Sequence, residues 1–127
     1  QYEVVEFVVD PMGWHNELSE LEDRYGEEMI LYFEANYRKK MAQACSRFFT
    51  GVMDQRMTHD GDFNLFQHLI NCVPKETPQG TVVTKINKSS AKKIDLAIAG
   101  IMAYDRWSDL RFEKDTPEPE APAFISL

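Results

Sequence analysis

The chain has 127 residues, of which 43% are hydrophobic and 12% aromatic, enough for one domain with a modest core. It contains no signal-peptide pattern and no apolar run long enough to cross a membrane. Cys45 and Cys72 lack metal-ligand spacing, so we expect free, buried thiols in a reducing compartment. Because the first residue is Gln rather than Met, we expect the chain to be a piece of a longer protein.

The net charge of −7 is distributed unevenly along the chain. Residues 1–34 carry ten acids and one base, residues 35–112 carry seven acids and twelve bases, and residues 113–127 carry four acids and one base. A basic middle segment can present a positive face to phosphates even in an acidic chain. A solvated surface remains the alternative for each of these lysines.

The first predicted element is a strand over Val4–Val9, which is almost entirely β-branched and aromatic and ends at Asp10-Pro11. Such a run is typical of a buried strand. Open α/β sheets place their sites at the carboxyl ends of central strands, so Asp10 is a candidate site residue. A plain Asp-Pro turn is the alternative.

A helix over residues 13–26 and a short strand over residues 29–33 follow. Gly26 is the expected helix stop. The apolar positions of this helix are Trp14, Leu18 and Leu21. A strand, a helix and a strand with short connections form a βαβ unit, so the two strands should be parallel.

Residues 37–55 are predicted to form a long helix with four bases near its beginning: Arg38, Lys39, Lys40 and Arg47. The expected core positions are Met41, Ala44, Cys45, Phe48, Phe49 and Val52. Lysines near a helix N-terminus oppose the helix dipole, and a functional patch accepts such a conflict. The bases are therefore candidates for contacting a phosphate backbone, with a solvated face as the alternative.

The next segment contains a tight turn, His59-Asp60-Gly61-Asp62, in which Asp62 is expected to cap a short helix. Its two histidines, His59 and His68, and its acids show no standard spacing for a transition-metal site. Residues 73–86 then read as two extended pieces around the loop Pro78-Gln79-Gly80.

The last predicted helix begins near Asp95. Residues 96–103 carry no charged or hydroxyl side chain, which predicts burial on all faces. Ser89 or Ser90 can cap the helix, which puts Asp95 near the first turn, where the dipole favours a carboxylate. Asp95 is therefore either a dipole-stabilising residue or a chemical group. Residues 113–127 are rich in Pro and Glu and predict a disordered tail or a docking peptide.

Asp10 and Asp95 form the chemical hypothesis. Two carboxylates, one at a strand end and one at a helix start, can converge to hold hard divalent cations through oxygen. In two-metal nucleases the ions lie roughly 4 Å apart and stabilise the attacking and leaving oxygens of an in-line displacement. Such sites usually need three or four acids, and only two are well placed here.

Four segments resemble a known family, in order and spacing: "VVEFVVDPMGW", "RFFTGVMDQRMTHDGD", "LFQHLINCV" and "SSAKKIDLAIAGIMAYDRW". Together they make residues 4–103 similar to the C-terminal nuclease domain of phage large terminase subunits, the DNA-packaging motors of tailed phages. The resemblance covers about four fifths of the chain, and its motifs are specific only in combination.

The resemblance implies an α/β, RNase H-like nuclease fold over residues 1–112, with a mixed sheet flanked by helices and its N-terminal strands missing from this chain. It implies a Mg²⁺- or Mn²⁺-dependent endonuclease with a two-metal site that cuts concatemeric double-stranded DNA. Asp10 and Asp95 become the catalytic metal ligands, and the first acid of the family lies on an earlier strand. His59, His68 and Asn71 match recurrent positions, as packing or active-site support.

The same resemblance implies double-stranded DNA, the portal or procapsid and the small terminase subunit as partners, no membrane, and action in the host cell cytoplasm during virion assembly. The backbone-binding candidates are Arg38, Lys39, Lys40, Lys92 and Lys93. The chain has no phosphate-binding G-x-x-x-x-G-K-[ST] loop, so we expect no ATP hydrolysis. We expect DNA cleavage only when the missing strands are supplied.

Two alternatives stay open at this point. A different RNase H-like nuclease or transposase-type enzyme would share the fold and the metals, although the "THDGD" and "KIDLAIA" segments favour the terminase reading. A non-catalytic interaction fragment would use both acids structurally, and an Asp95→Asn change would then leave every activity unaltered.

Overall fold

The computed structural model of the protein describes residues 3–115, with side chains described up to Arg111. The elements in chain order are β1 (Phe7–Val9), α1 (His15–Tyr25), a 3-10 turn (Glu27–Met29), β2 (Ile30–Tyr32), α2 (Arg38–Met53), α3 (Phe63–Ile70), β3 (Val73–Thr77), β4 (Gly80–Thr84) and α4 (Asp95–Asp115). Within the described residues, no helix is long and apolar enough to cross a membrane.

The predicted βαβ unit is confirmed. Strands β1 and β2 pair in parallel, and the pairing continues through a 2.7 Å hydrogen bond from the Phe33 amide to the Val9 carbonyl. Helix α1 ends at Gly26, whose φ of 94° is accessible to glycine at low cost. The short connections leave the carboxyl ends of both strands at one edge of this sheet.

The first strand is shorter and more exposed than predicted. It begins at Phe7, and Val4 and Val5 are 52% and 64% exposed. In the described part of the chain, the β1–β2 sheet has only these two strands, so no third strand covers Val4 and Val5. Trp14, expected in the apolar stripe of α1, precedes the helix and is also exposed, while Leu18 is buried.

Strands β3 and β4 form the predicted hairpin around residues 78–80. The Thr77 hydroxyl closes it by donating a 2.7 Å hydrogen bond to the Gly80 carbonyl. Over residues 3–115 this hairpin is a separate antiparallel sheet, so the expected single mixed sheet is not what the structure contains. The architecture is α/β, with two small sheets and the helices packed around them.

The core forms where α2 and α4 meet β1, β2 and β4. Its buried residues are Phe33, Met41, Ala44, Ile101 and Met102, with Val8, Val82 and Val83 at its border. The predicted core stripe of α2 is right at Met41 and Ala44 and wrong at Phe49 and Val52, which are largely exposed. The stripe is narrower than predicted because the neighbouring elements cover only one side of α2.

Helix α4 is not buried on all faces, contrary to the sequence prediction. Ala97, Ile101 and Met102 face the core, whereas Leu96, Ala99 and Ala103 are exposed. The elements around α4 cover one side of it, and an apolar sequence alone does not say how many sides are covered. The helix continues to Asp115, three residues into the predicted tail, and residues 116–127 of that tail lie outside the described residues.

Ion pairs attach α4 to both halves of the domain. Arg47 of α2 reaches Asp105 at 2.9 Å and Asp109 at 2.7 Å, and Arg106 reaches Glu6 at 2.6 Å. Asp105 is buried, so Arg47 compensates a charge that burial would otherwise disfavour. Arg47 therefore connects α2 to α4 and does not extend the basic patch at the beginning of α2.

Candidate functional site

Asp10 directly follows β1 and is partly buried. Its Oδ1 accepts a hydrogen bond of 3.2 Å from the Met12 amide, so the residue does start a turn, as the alternative reading predicted. This one bond leaves most of the acceptor capacity of the carboxylate unused. The turn and a ligand role are therefore compatible.

A second carboxylate, which the sequence interpretation did not include, lines the same depression as Asp10. Glu34 follows β2 and lines, together with Asp10, His15 and Asn36, a shallow depression of about 300 Å³. The signal was available in the sequence, because an acid just after the second of two parallel strands belongs at the same edge as an acid just after the first. The structure thus brings Asp10 together with Glu34.

Asp95 is the first residue of α4 and is exposed. Among the described residues, its carboxylate takes part in no ion pair, and it does not line the depression that holds Asp10. The predicted position at the helix start is confirmed, where the dipole favours a negative charge. The convergence of Asp95 with Asp10 in one cavity is not seen.

The direction of α4 nevertheless carries Asp95 toward the Asp10 end of β1. Arg106 binds Glu6 just before β1, whereas Ile101 and Met102, about one turn earlier in α4, share the core with Val8. Moving back along α4 therefore corresponds to moving forward along β1. From Arg106 to Asp95 the helix covers about 16 Å, and from Glu6 to Asp10 the strand covers about 13 Å.

The carboxylates at this site are the right type of ligand for a hard divalent cation, but too few of them lie close together. Carboxylate oxygens of Asp10, Glu34 and Asp95 are the ligand type that Mg²⁺ and Mn²⁺ prefer. Within residues 3–115, however, no group of three or more His, Cys, Asp or Glu side chains is close enough to hold a metal ion. A complete metal centre thus requires at least one further oxygen donor.

His68 and Asn71 hold the beginning of α4. The Nδ1 atom of His68 accepts a 2.9 Å hydrogen bond from the Leu96 amide, and Nδ2 of Asn71 donates a 3.0 Å hydrogen bond to the Lys93 carbonyl. The expected cap by Ser89 or Ser90 is wrong, because the Ser90 hydroxyl accepts from the Lys92 amide in the loop before the helix. No local sequence signal predicts this cap, since His68 lies 28 residues away.

His59 belongs to a different feature. Its Nδ1 accepts a 3.0 Å hydrogen bond from the Gly61 amide within the turn, and Asp60 accepts from the Asp62 amide. Asp62 caps α3 as predicted, through a 2.7 Å bond from the Leu65 amide. His59 also borders an apolar groove of about 780 Å³ between α2, α3 and α4. Its hydrogen bond stabilises the turn, and it makes no contact with the start of α4 of the kind that His68 makes.

The candidate DNA-binding residues fall into two groups at the N-termini of two helices. Arg38 and Lys39 at α2, and Lys92 and Lys93 before α4, are exposed. Lys40 is partly buried, with its ammonium 4.4 Å from the centroid of the Phe33 ring. This cation–π contact commits Lys40 in part to covering the core.

The two cysteines are free thiols, as predicted, but both are half-buried rather than buried. Burial raises the pKa of the Cys45 thiol above its ordinary value, against a hydrogen bond with the Val83 backbone. Burial also raises the pKa of Cys72, to which the nearby Cys45 adds. A raised pKa favours the protonated thiol, which is the less nucleophilic form.

A comparison of the chain with protein-family models shows the family to which it belongs. The family model "Terminase large subunit, endonuclease domain" matches residues 1–109, which include the four described strands, Asp10, Asp95, His68 and Asn71. The chain belongs to the terminase large subunit endonuclease-domain family. The match covers the described structure except the last turns of α4.

Two curated relatives carry the same segment. The Gene 13 proteins of Mycobacterium phages D29 and L5 are each 31% identical to the chain over 78 residues. That stretch covers 61% of this chain and 13% of each relative, so the terminase endonuclease domain corresponds to a small part of those proteins. No solved structure matches the chain.

Proposed function

We propose that this terminase endonuclease domain is a metal-dependent nuclease that cuts concatemeric double-stranded DNA during phage genome packaging, on an RNase H-like fold. The observation that carries the proposal is the family match over residues 1–109, which includes an acid at the end of β1 and another at the start of α4. The parallel βαβ unit with acids at its carboxyl edge supports the same reading.

Asp10 and Asp95 are the residues that would hold Mg²⁺ or Mn²⁺, and Glu34 offers a further oxygen beside Asp10. Bound divalent ions supply a water of lowered pKa and stabilise the leaving 3′-oxygen during phosphodiester hydrolysis. The domain's own contribution is to place the carboxylates, at a strand end and at a helix start that favours negative charge. The family's first acid, on an earlier strand, would complete the donor set.

Arg38, Lys39, Lys92 and Lys93 are proposed to contact the DNA backbone, with a smaller part for Lys40. Exposed bases on two helix N-termini suit phosphates and do not read base edges, which fits cleavage along a concatemer with little sequence selection. In a complete large subunit the domain would work with the small terminase subunit and the portal or procapsid, in the host cell cytoplasm.

One observation favours a second candidate, a non-catalytic interaction module. The described residues contain no group of three metal-binding side chains. In that case Asp10 would serve only the turn that it forms with Met12, and Asp95 only the helix dipole. The two readings differ in what happens when either acid is replaced by its amide.

The deciding experiment is plasmid cleavage by a terminase large subunit that carries this domain, in Mg²⁺ or Mn²⁺. The variants Asp10→Asn and Asp95→Asn keep the side-chain shape and remove the charge. Asp23→Asn, on the exposed side of α1, is the matched control. We expect both site variants to abolish cleavage and the control to retain it. Full cleavage by Asp95→Asn, or cleavage in the presence of a chelator, would contradict the proposal.

A further inference from the structure

The N-terminus of α4 lacks a cap from its own segment. The Ile94 carbonyl accepts a 3.0 Å hydrogen bond from the Ile98 amide, which puts Ile94 at the N-cap position. An N-cap side chain normally accepts a hydrogen bond from the second or third amide of the helix, and isoleucine has no acceptor. Ile94 is also 8% exposed, so its side chain is committed to the core. The first amides of the helix therefore need an acceptor from elsewhere.

His68 supplies that acceptor. Its Nδ1 receives the Leu96 amide at 2.9 Å, and Leu96 is the second residue of α4, where an N-cap oxygen would act. Because Nδ1 accepts, the neutral ring carries its proton on Nε2. Asn71, the C-cap residue directly after α3, donates to the Lys93 carbonyl at 3.0 Å and fixes the chain just before the helix.

We propose that His68 and Asn71 are positioning residues for Asp95, which lies between their two attachment points at Lys93 and Leu96. The pair, which we name the α3 clamp, fixes the first turn of α4 and with it the origin of the Asp95 side chain. His68 acts as a neutral acceptor toward backbone rather than as a metal ligand or a general base. The inference deepens the proposed function and rests on it for its catalytic meaning.

The clamp is part of the contact between α3 and α4. Helix α3 packs against α4, and its own N-terminus is set by Asp62 through the Leu65 amide. Partners that orient a metal-binding residue typically change metal affinity by about 10- to 100-fold when they are removed.

The test uses two readouts that do not depend on activity. The first is the hydrogen exchange rate of the Leu96 amide in the 127-residue chain, and the second is the affinity of a terminase large subunit that carries this domain for Mn²⁺ alone. His68→Leu removes the acceptor, whereas His68→Asn puts an amide oxygen near the position of Nδ1. Asn71→Ala removes the second attachment, and His59→Leu is the matched histidine control.

We expect His68→Leu to speed exchange at Leu96 about three- to tenfold, the loss typical of a helix cap. It should weaken Mn²⁺ binding about tenfold. His68→Asn should restore both quantities, and His59→Leu should change neither. Asn71→Ala should speed exchange at the start of α4, and it carries the test if His68→Leu does not fold.

Unchanged Leu96 exchange in His68→Leu would overturn the clamp, and so would equal losses in His68→Leu and His68→Asn. The two proposals fail separately. If a terminase large subunit that carries this domain binds no Mn²⁺ while the exchange pattern is as expected, the capping role stands and the proposed function is contradicted. If Mn²⁺ binding is lost in Asp95→Asn but unchanged in His68→Leu, the proposed function stands and the positioning role is overturned.

Discussion

Arg106 donates two hydrogen bonds, of 2.6 and 2.8 Å, to the carboxylate of Glu6, 100 residues earlier in the chain. The contact fixes the middle of α4 against the residues that lead into β1. Because Asp10 and Asp95 belong to these same two elements, this pair helps to determine where the two candidate ligands lie relative to each other. Its loss should therefore affect both stability and the site.

Acid should weaken the Glu6–Arg106 pair. The hydrogen bond from Arg106 lowers the pKa of Glu6 in the folded state, against a smaller opposing effect of burial. A lowered folded pKa stabilises the protein above the ordinary carboxyl value of about 4.3, and this contribution is lost as the pH falls through the lowered pKa. Glu6→Gln should therefore cost about 1 kcal/mol of unfolding free energy at pH 7 and less in acid.

Urea unfolding at pH 7 and at pH 3 checks this expectation. Glu20→Gln, on the exposed face of α1, is the control and should show little change at either pH. If Glu6→Gln lowers the unfolding free energy equally at both pH values, the charge of Glu6 does not contribute, and the expectation is contradicted.

Replacing Arg47 should lower the free energy of unfolding far more than replacing its exposed partner Asp109. Arg47→Leu leaves the Asp105 carboxylate, with a side chain only 5% exposed, without its cation. An unpaired buried charge typically costs about 3 to 5 kcal/mol, and partial exposure of Arg47 places the expected loss near the lower end. Asp109, 43% exposed, is the comparison, and Asp109→Asn should cost about 0.5 kcal/mol. Thermal unfolding of the two variants measures the difference, and similar losses would be inconsistent with the role assigned to Arg47.

Two helical glycines should respond oppositely to alanine. A Cβ at Gly51 of α2 would lie 2.6 Å from Cζ of Tyr104, whose ring also packs against Phe48 and Trp107. Gly51→Ala should therefore cost about 1 to 3 kcal/mol. At Gly100 of α4 the nearest atom is 4.0 Å away, in Phe48, so Gly100→Ala should gain up to about 1 kcal/mol of helix propensity. Denaturant midpoints of the pair test this directly, and a stable Gly51→Ala would mean that the Tyr104 ring can move aside.

The affinity for duplex DNA should depend steeply on salt. Each phosphate contact adds about 0.9 to the slope of log affinity against log salt, so Lys92→Gln and Lys93→Gln should each reduce the slope by about that amount. Lys75→Gln, on an exposed position of β3, is the control. Fluorescence anisotropy with a labelled duplex between low and moderate salt gives the slope. A flat dependence in the wild-type chain would rule out binding through the basic residues.

Local sequence patterns predicted the helices and strands. Burial and the cap of α4 depend on long-range contacts, and the local patterns did not predict them. The parallel βαβ unit, the hairpin and the Asp62 cap follow from periodicity, short connections and turn residues, which act between near neighbours. The exposure of Val4, the one-sided burial of α4 and the cap by His68 depend on which elements pack beside them, and no spacing reports that. The sequence predicts Asp10 and Asp95 as site residues. The same argument about strand ends would also have predicted Glu34, which lines the depression with Asp10.

The most direct test of a metal site shared by Asp10 and Asp95 is a Mn²⁺ titration of the 127-residue chain followed by paramagnetic broadening of its amide resonances. Wild type is compared with Asp95→Asn, and Asp23→Asn serves as the control. We expect saturable binding that broadens the amides next to Asp10 and next to Asp95 together, and that disappears in Asp95→Asn. Equal, weak binding by wild type and Asp95→Asn, or broadening confined to one of the two acids, would contradict a shared metal site.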